Sequence, residues 1–141
     1  MIDRALIVAV GDPAAADRLV GLAPGWEPVP VDPATPDGEL VAVVAEACGG
    51  WPERSIAVAD GGAGGRFVLA ALSGLLPVDG VAADPVFDRS PLAPRRPVPL
   101  VVVATDPDVA AVVDRLEAAG HPVERATDLG NALSRLVARP L

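Results

Sequence analysis

Apolar residues recur along this chain in two alternating patterns. Short runs rich in β-branched residues, ALIVAV (5–10), EPVPV (27–31), SIAVA (55–59), GVAA (80–83), LVVVAT (100–105) and VERA (123–126), read as six strands. The central runs are continuously apolar, as in a sheet covered on both faces. Between them lie longer amphipathic stretches, AAADRLVGL, DGELVAVVAEAC, RFVLAALSGLL, DVAAVVDRLEAAG and LGNALSRLVA, which predict helices. In the fourth of these, Val109, Val112, Val113 and Leu116 fall at i, i+3, i+4 and i+7, one apolar stripe opposite Asp114, Arg115 and Glu117. Strand and helix in alternation imply a parallel sheet with right-handed crossovers.

Local punctuation agrees with that periodicity. Asp12-Pro13, Thr35-Pro36 and Asp106-Pro107 each set a capping side chain before a proline that tolerates the first helical turn, and Gly120 stands where the fourth helix should stop. The run EPVPVDPATP carries too many prolines for a central strand and is expected at an edge. Residues 84–99, DPVFDRSPLAPRRPVP, have no periodicity and read as a long proline-rich loop, either functional or left over from a lost insertion. There is no internal repeat and no break in composition, so residues 1–141 are expected to form one domain. The fold class this predicts is α/β: a three-layer αβα domain with a doubly wound, mostly parallel sheet of about six strands.

Composition then removes several kinds of partner. A formal charge of −8 repels a phosphate backbone, and the arginines are scattered instead of forming a stripe, so no nucleic acid is expected. The chain has positive mean hydropathy. Its longest apolar runs nevertheless fall far short of the ~20 residues that span a bilayer, so no membrane is expected either. One cysteine, Cys48, cannot form an internal disulfide, and no N-terminal stretch joins basic residues to a long apolar run; a cytoplasmic location is the expectation. With no lysine, no tyrosine and one histidine, Schiff-base chemistry, a P-loop lysine and tyrosine acid catalysis are excluded. No cofactor and no metal site is predicted.

In an open parallel sheet, ligands sit outside the carboxyl ends of the strands. Asp12, Asp32, Asp60, Asp84, Asp106, Asp108 and Asp128 all follow strands and share that edge. They could gather around a hard cation, but their places before prolines and helices read better as caps and turns. His121 lies between a helix end and the last strand, on the opposite edge, where it reads as a turn residue and not a catalyst.

The stretch ADGGAGGRFVLAAL (59–72) occupies a strand-to-helix turn and has the outline of a G-x-S-x-G-G nucleophile elbow without its serine. On these residues the chain resembles the α/β-hydrolase superfamily, in particular small dienelactone-hydrolase-like and lipase-like members. The later segment RRPVPLVVVATDPDVAAVVDRLEAAGHPVERATDLGNAL is similar in order and spacing to that family's C-terminal part. The resemblance covers most of the chain, without the family's first strands or lid, and implies a strand order of 2-1-3-4-5-6. It matches Gly62 to the nucleophile position, Asp106 or Asp108 to the acid and Asn131 to the histidine, and so implies a degenerate triad with neither nucleophile nor base. Gly11 and Asp12 match the loop that supplies one oxyanion N–H, and Ala63 the residue that supplies the other. Residue 62 is accordingly expected to hold strained backbone angles.

The function these observations imply is binding of a small apolar ligand or a partner protein at the carboxyl edge, through Gly11, Asp12, Asp60, Gly61, Gly62, Ala63 and Gly64. An alternative is a non-covalent enzyme using Asp60 or Asp106 as acid or base with oxyanion-type N–H groups. A third reading is an accessory subunit of a larger complex, and an apolar helix face or edge strand predicts a homodimer.

Overall fold

A computed structural model describes residues 2–87 and 97–139 of the chain. They form β1 (Arg4–Ala9), α1 (Pro13–Gly21), β2 (Glu27–Pro30), a 3-10 turn (Asp37–Glu39) leading into α2 (Leu40–Cys48), β3 (Arg54–Asp60), α3 (Gly61–Leu72), β4 (Gly80–Pro85), β5 (Leu100–Val103), α4 (Pro107–Ala118), β6 (Val123–Ala126) and α5 (Leu129–Val137). The strands build one sheet in the order β2-β1-β3-β4-β5-β6, and every neighbouring pair is parallel. This is the single-domain, three-layer α/β architecture that the periodicity predicts. The proline-bearing β2 lies at an edge.

Period-two alternation divides the strand side chains between two cores. Ala5, Ile7, Ala57, Val81, Leu100 and Val102 pack with Leu40 and Val44 of α2, Phe67 and Val68 of α3, and Val109 and Val113 of α4. On the other face Leu6, Val8, Ile56, Val58, Ala82 and Val101 meet Leu19 of α1 and Leu133 and Leu136 of α5. Contact there is close enough that a Cβ on Gly80 would lie 2.8 Å from Leu136 Cδ1. The chain leaves β1 by α1 on one face and returns from β2 by α2 on the other. Strand order therefore reverses between β1 and β3, which opens a crevice at their carboxyl ends.

The capping expectations hold at three aspartates. Asp12 Oδ1 accepts the Ala14 N–H, Asp106 Oδ1 accepts the Asp108 N–H, and Asp128 Oδ1 accepts the Asn131 N–H, at 3.1, 2.8 and 2.7 Å. Asp32 makes the equivalent bond to the Ala34 N–H within its loop. Thr35-Pro36 does not open α2 directly: the 3-10 turn comes first, and Glu39 takes the α2 cap position without a side-chain bond. Gly120 ends the α4 region with a φ of +77°.

Two boundaries differ from the sequence reading. Glycines 61–65 belong to α3 instead of forming a turn before it, and β4 runs on through Asp84 and Pro85, taking the start of the expected loop into the sheet. The remainder of that loop, 88–96, with Arg95 and Arg96, lies outside the described residues. Among the described residues no helix is long and apolar enough to cross a membrane.

Candidate functional site

The strand β3 turns into helix α3 through one residue. Gly61 has a φ of +60°, a region that side-chain-bearing residues enter at a cost, and it is stitched to the neighbouring strand by a bridge to Pro85 and by the Val86 N–H donating to its carbonyl at 2.8 Å. The expected strain at Gly62 is thus not found: positive φ falls one residue earlier, and Gly62 already has ordinary helical backbone. The glycines that follow permit close approach. A Cβ on Gly64 would come within 3.1 Å of the Ala59 carbonyl oxygen and of Pro85 Cα, and one on Gly65 would overlap the Val86 carbonyl oxygen. These residues serve packing of α3 against the ends of β3 and β4.

On the opposite side of that turn, between α1 and the start of α5, lies a cleft of about 740 Å³. Its walls are largely apolar, with Ala15, Leu19 and Leu22 from the α1 side, Leu129 and Gly130 from α5, and Val10 after β1. Leu22 keeps 43% of its surface exposed although it is a large apolar side chain. Asp60, Asp84, Asp128 and Arg18 add charge to this lining.

Asp60 and Asp84 are register partners on adjacent parallel strands, and both project toward the α1 and α5 face. Neither carboxylate forms a hydrogen bond or ion pair among the described residues, and Asp60 does not cap α3 although it holds the cap position. Asp84 retains much of its surface in water, yet partial burial lifts its carboxyl above the ordinary aspartate range, and the neighbouring Asp60 charge pushes in the same direction. Two carboxylates in one partly desolvated setting, with one held up in pKa, can share a proton, receive a cation, or divide acid and base roles.

Of the residues singled out from the sequence, the cleft therefore takes three of the strand-end aspartates, Asp60, Asp84 and Asp128, with Gly130 adjoining Asn131. Gly11, Asp12, Gly61, Gly62, Ala63 and Gly64 are not part of its lining. Ala63 and Gly64 are buried in the α3 contact, and the Asp12 carboxylate is committed to its own helix. Asp106 caps α4, and Asp108 follows in the first turn of that helix, which packs on the other face of the sheet. Asn131 stands in the first turn of α5, its Oδ1 buried without a hydrogen-bond partner among the described residues. Among the described residues no group of three or more His, Cys, Asp or Glu side chains is placed to hold a metal ion.

Other reactive groups are used structurally. Ser55, at the start of β3, is fully buried. Burial raises the pKa of the Cys48 thiol, and the Glu27 charge adds to this. The His121 Nε2 lies 3.0 Å from the Val98 carbonyl oxygen on the far edge, with burial lowering its pKa against the effect of that bond. Arg66 of α3 donates to the carbonyls of Pro33, Thr35 (2.8 Å) and Gly62 (3.4 Å), tying the loop after β2 to the helix start.

The α1–α5 groove and the pairing of Asp84 with Asp60 beside it were not identified from sequence. The usable signal was an aspartate ending each of two successive apolar strands. Comparison of the chain with protein-family models, with curated proteins and with solved structures finds no match.

Proposed function

We infer that this protein binds a small, largely apolar molecule in the cleft between α1 and α5, on a scaffold related to the α/β-hydrolases whose triad has been lost. The observation that carries the binding reading is the cleft itself, a space of about 740 Å³ beside the topological switch point, walled by Leu19, Leu22 and Leu129. The hydrolase-like ancestry draws on the strand order alone, which is the one the resemblance implies, since the positive-φ residue at the turn between β3 and α3 is Gly61 and not the matched Gly62. With Gly61 at that turn and Asn131 at the start of α5, the site offers no serine nucleophile and no imidazole base among the described residues. Ser55 cannot stand in, since it is fully buried.

A second reading, non-covalent acid–base catalysis, draws on the raised pKa of Asp84 beside Asp60, which would give one carboxyl the acid role and the other the base role. Assays with p-nitrophenyl esters and a serine-directed probe, alongside mass analysis of small molecules that co-purify with the protein, test the binding reading. No turnover above a denatured control and a co-purifying apolar compound are expected. Ester turnover with labelling at Ser55, Ser73, Ser90 or Ser134 would contradict it.

A further inference from the structure

The cleft is apolar in its walls, and its charges decide what can fill it. Of its carboxylates, Asp128 is committed to the Asn131 N–H at 2.7 Å. Asp60 and Asp84 remain uncommitted among the described residues. As register partners on adjacent strands of a parallel sheet, their Cα atoms stand about 4.8 Å apart, and their side chains share one face. Two like charges so close at the end of an apolar groove repel one another, and an anionic ligand would add to that repulsion. A neutral apolar ligand would fill the groove and leave the repulsion in place. Among the described residues Arg18 is the one cation in the lining; it is exposed on α1, and there the carboxylates are in excess.

Resting on the small-ligand reading above, the geometry points to an amphiphilic cation as the occupant: an alkyl or aryl tail along Leu19, Leu22 and Leu129, with a protonated amine received between the Asp60 and Asp84 carboxylates. The tail supplies burial of apolar area, and the ammonium supplies charge-assisted hydrogen bonds to two acceptors on the same face of the sheet.

The test uses three probes with the same tail and different heads, n-octylammonium, 1-octanol and octanoate, each titrated below its aggregation limit into the full ¹⁵N-labelled chain at pH 7. Amide shifts of Asp60, Asp84, Leu129 and Gly130 report the site. Octylammonium is expected to bind at least about tenfold more tightly than octanol, and octanoate more weakly than octanol. Asp60→Asn and Asp84→Asn should each reduce the ammonium-to-alcohol ratio, and the double variant should bring it to within about twofold of unity. Equal affinity for octylammonium and octanol, or an unchanged ratio in the double variant, would overturn the cation while leaving the apolar cleft standing. Tightest binding by octanoate would assign the head group to Arg18 and overturn it as well. If none of the three probes moves these amides, the small-ligand reading fails along with it.

Discussion

Asp60, the last residue of β3, stands beside Asp84 of β4 as its parallel register partner, with both carboxylates on the cleft side of the sheet. Folding alone would not favour this arrangement. Like charges side by side on neighbouring strands are destabilising, and in this protein burial adds to the cost of ionising Asp84. Binding sites commonly keep groups that the fold would be more stable without.

That cost has a pH signature. Because the folded protein holds the Asp84 proton more tightly than the unfolded chain does, the associated stability is complete below the unfolded value near about 3.9 and is lost as pH rises through the folded value. Asp84→Asn is therefore expected to raise the urea midpoint at pH 7.5 and to lose most of that gain at pH 3.5. A variant less stable than wild type at pH 7.5 would contradict the raised pKa.

The glycines of α3 should separate into three kinds. Gly61→Ala forces a side chain into positive φ and should cost about 1–2 kcal/mol. Gly65→Ala drives a methyl group into the Val86 carbonyl and should cost about 1–3 kcal/mol. Gly62 has ordinary helical backbone and no atom within 4 Å of an added Cβ, so Gly62→Ala should stabilise by about 0.5–1 kcal/mol. Urea unfolding of the three variants checks the order, and a destabilising Gly62→Ala would return the strained position to residue 62.

These residues also mark where the sequence was legible and where it was not. Continuous apolar runs such as SIAVA announce strands covered on both faces, and Asp12-Pro13 and Asp106-Pro107 announce helix starts, because both depend on neighbours in the chain, whereas Asp32-Pro33 lies in a loop and Asp84-Pro85 ends β4. Helical structure at 61–65 was hidden, since glycine has poor helix propensity and the conformation is settled by contact of Gly64 and Gly65 with the ends of β3 and β4. The Asp60–Asp84 pair was hidden for a related reason. Each aspartate is visible, but their juxtaposition needs the register of two strands, and the cleft above them needs α1 and α5 on the same face.

Ser55 offers a check on its reading as a core residue and not a nucleophile. Its backbone N–H donates to Asp79 Oδ2 at 2.9 Å, while its Oγ is buried without a hydrogen-bond partner among the described residues. Ser55→Ala should be neutral or stabilise by up to about 1 kcal/mol, since it removes a desolvated hydroxyl. A loss of more than that in a thermal or urea melt would reveal a partner for the hydroxyl.

Arg66 holds the loop after β2 by bonds to backbone carbonyls that no shorter side chain can reach. Arg66→Ala should destabilise by about 1.5–3 kcal/mol and speed amide exchange at Ala34 and Thr35, whose N–H groups bond within that loop. Arg66→Lys should fall between, as a point charge replaces a planar fork. Unchanged exchange at Ala34 and Thr35 in the alanine variant would show that the loop holds itself.

The central claim is that the α1–α5 cleft takes up an apolar ligand, and it is tested most directly by intermolecular nuclear Overhauser effects between 1-octanol and the methyl groups of the labelled protein. The account predicts cross-peaks from the octyl chain to Leu19, Leu22 and Leu129, and none to Val43 or Leu75, which are exposed apolar side chains outside the cleft. Cross-peaks at Val43 or Leu75 of equal strength, or none at the three cleft leucines, would contradict it.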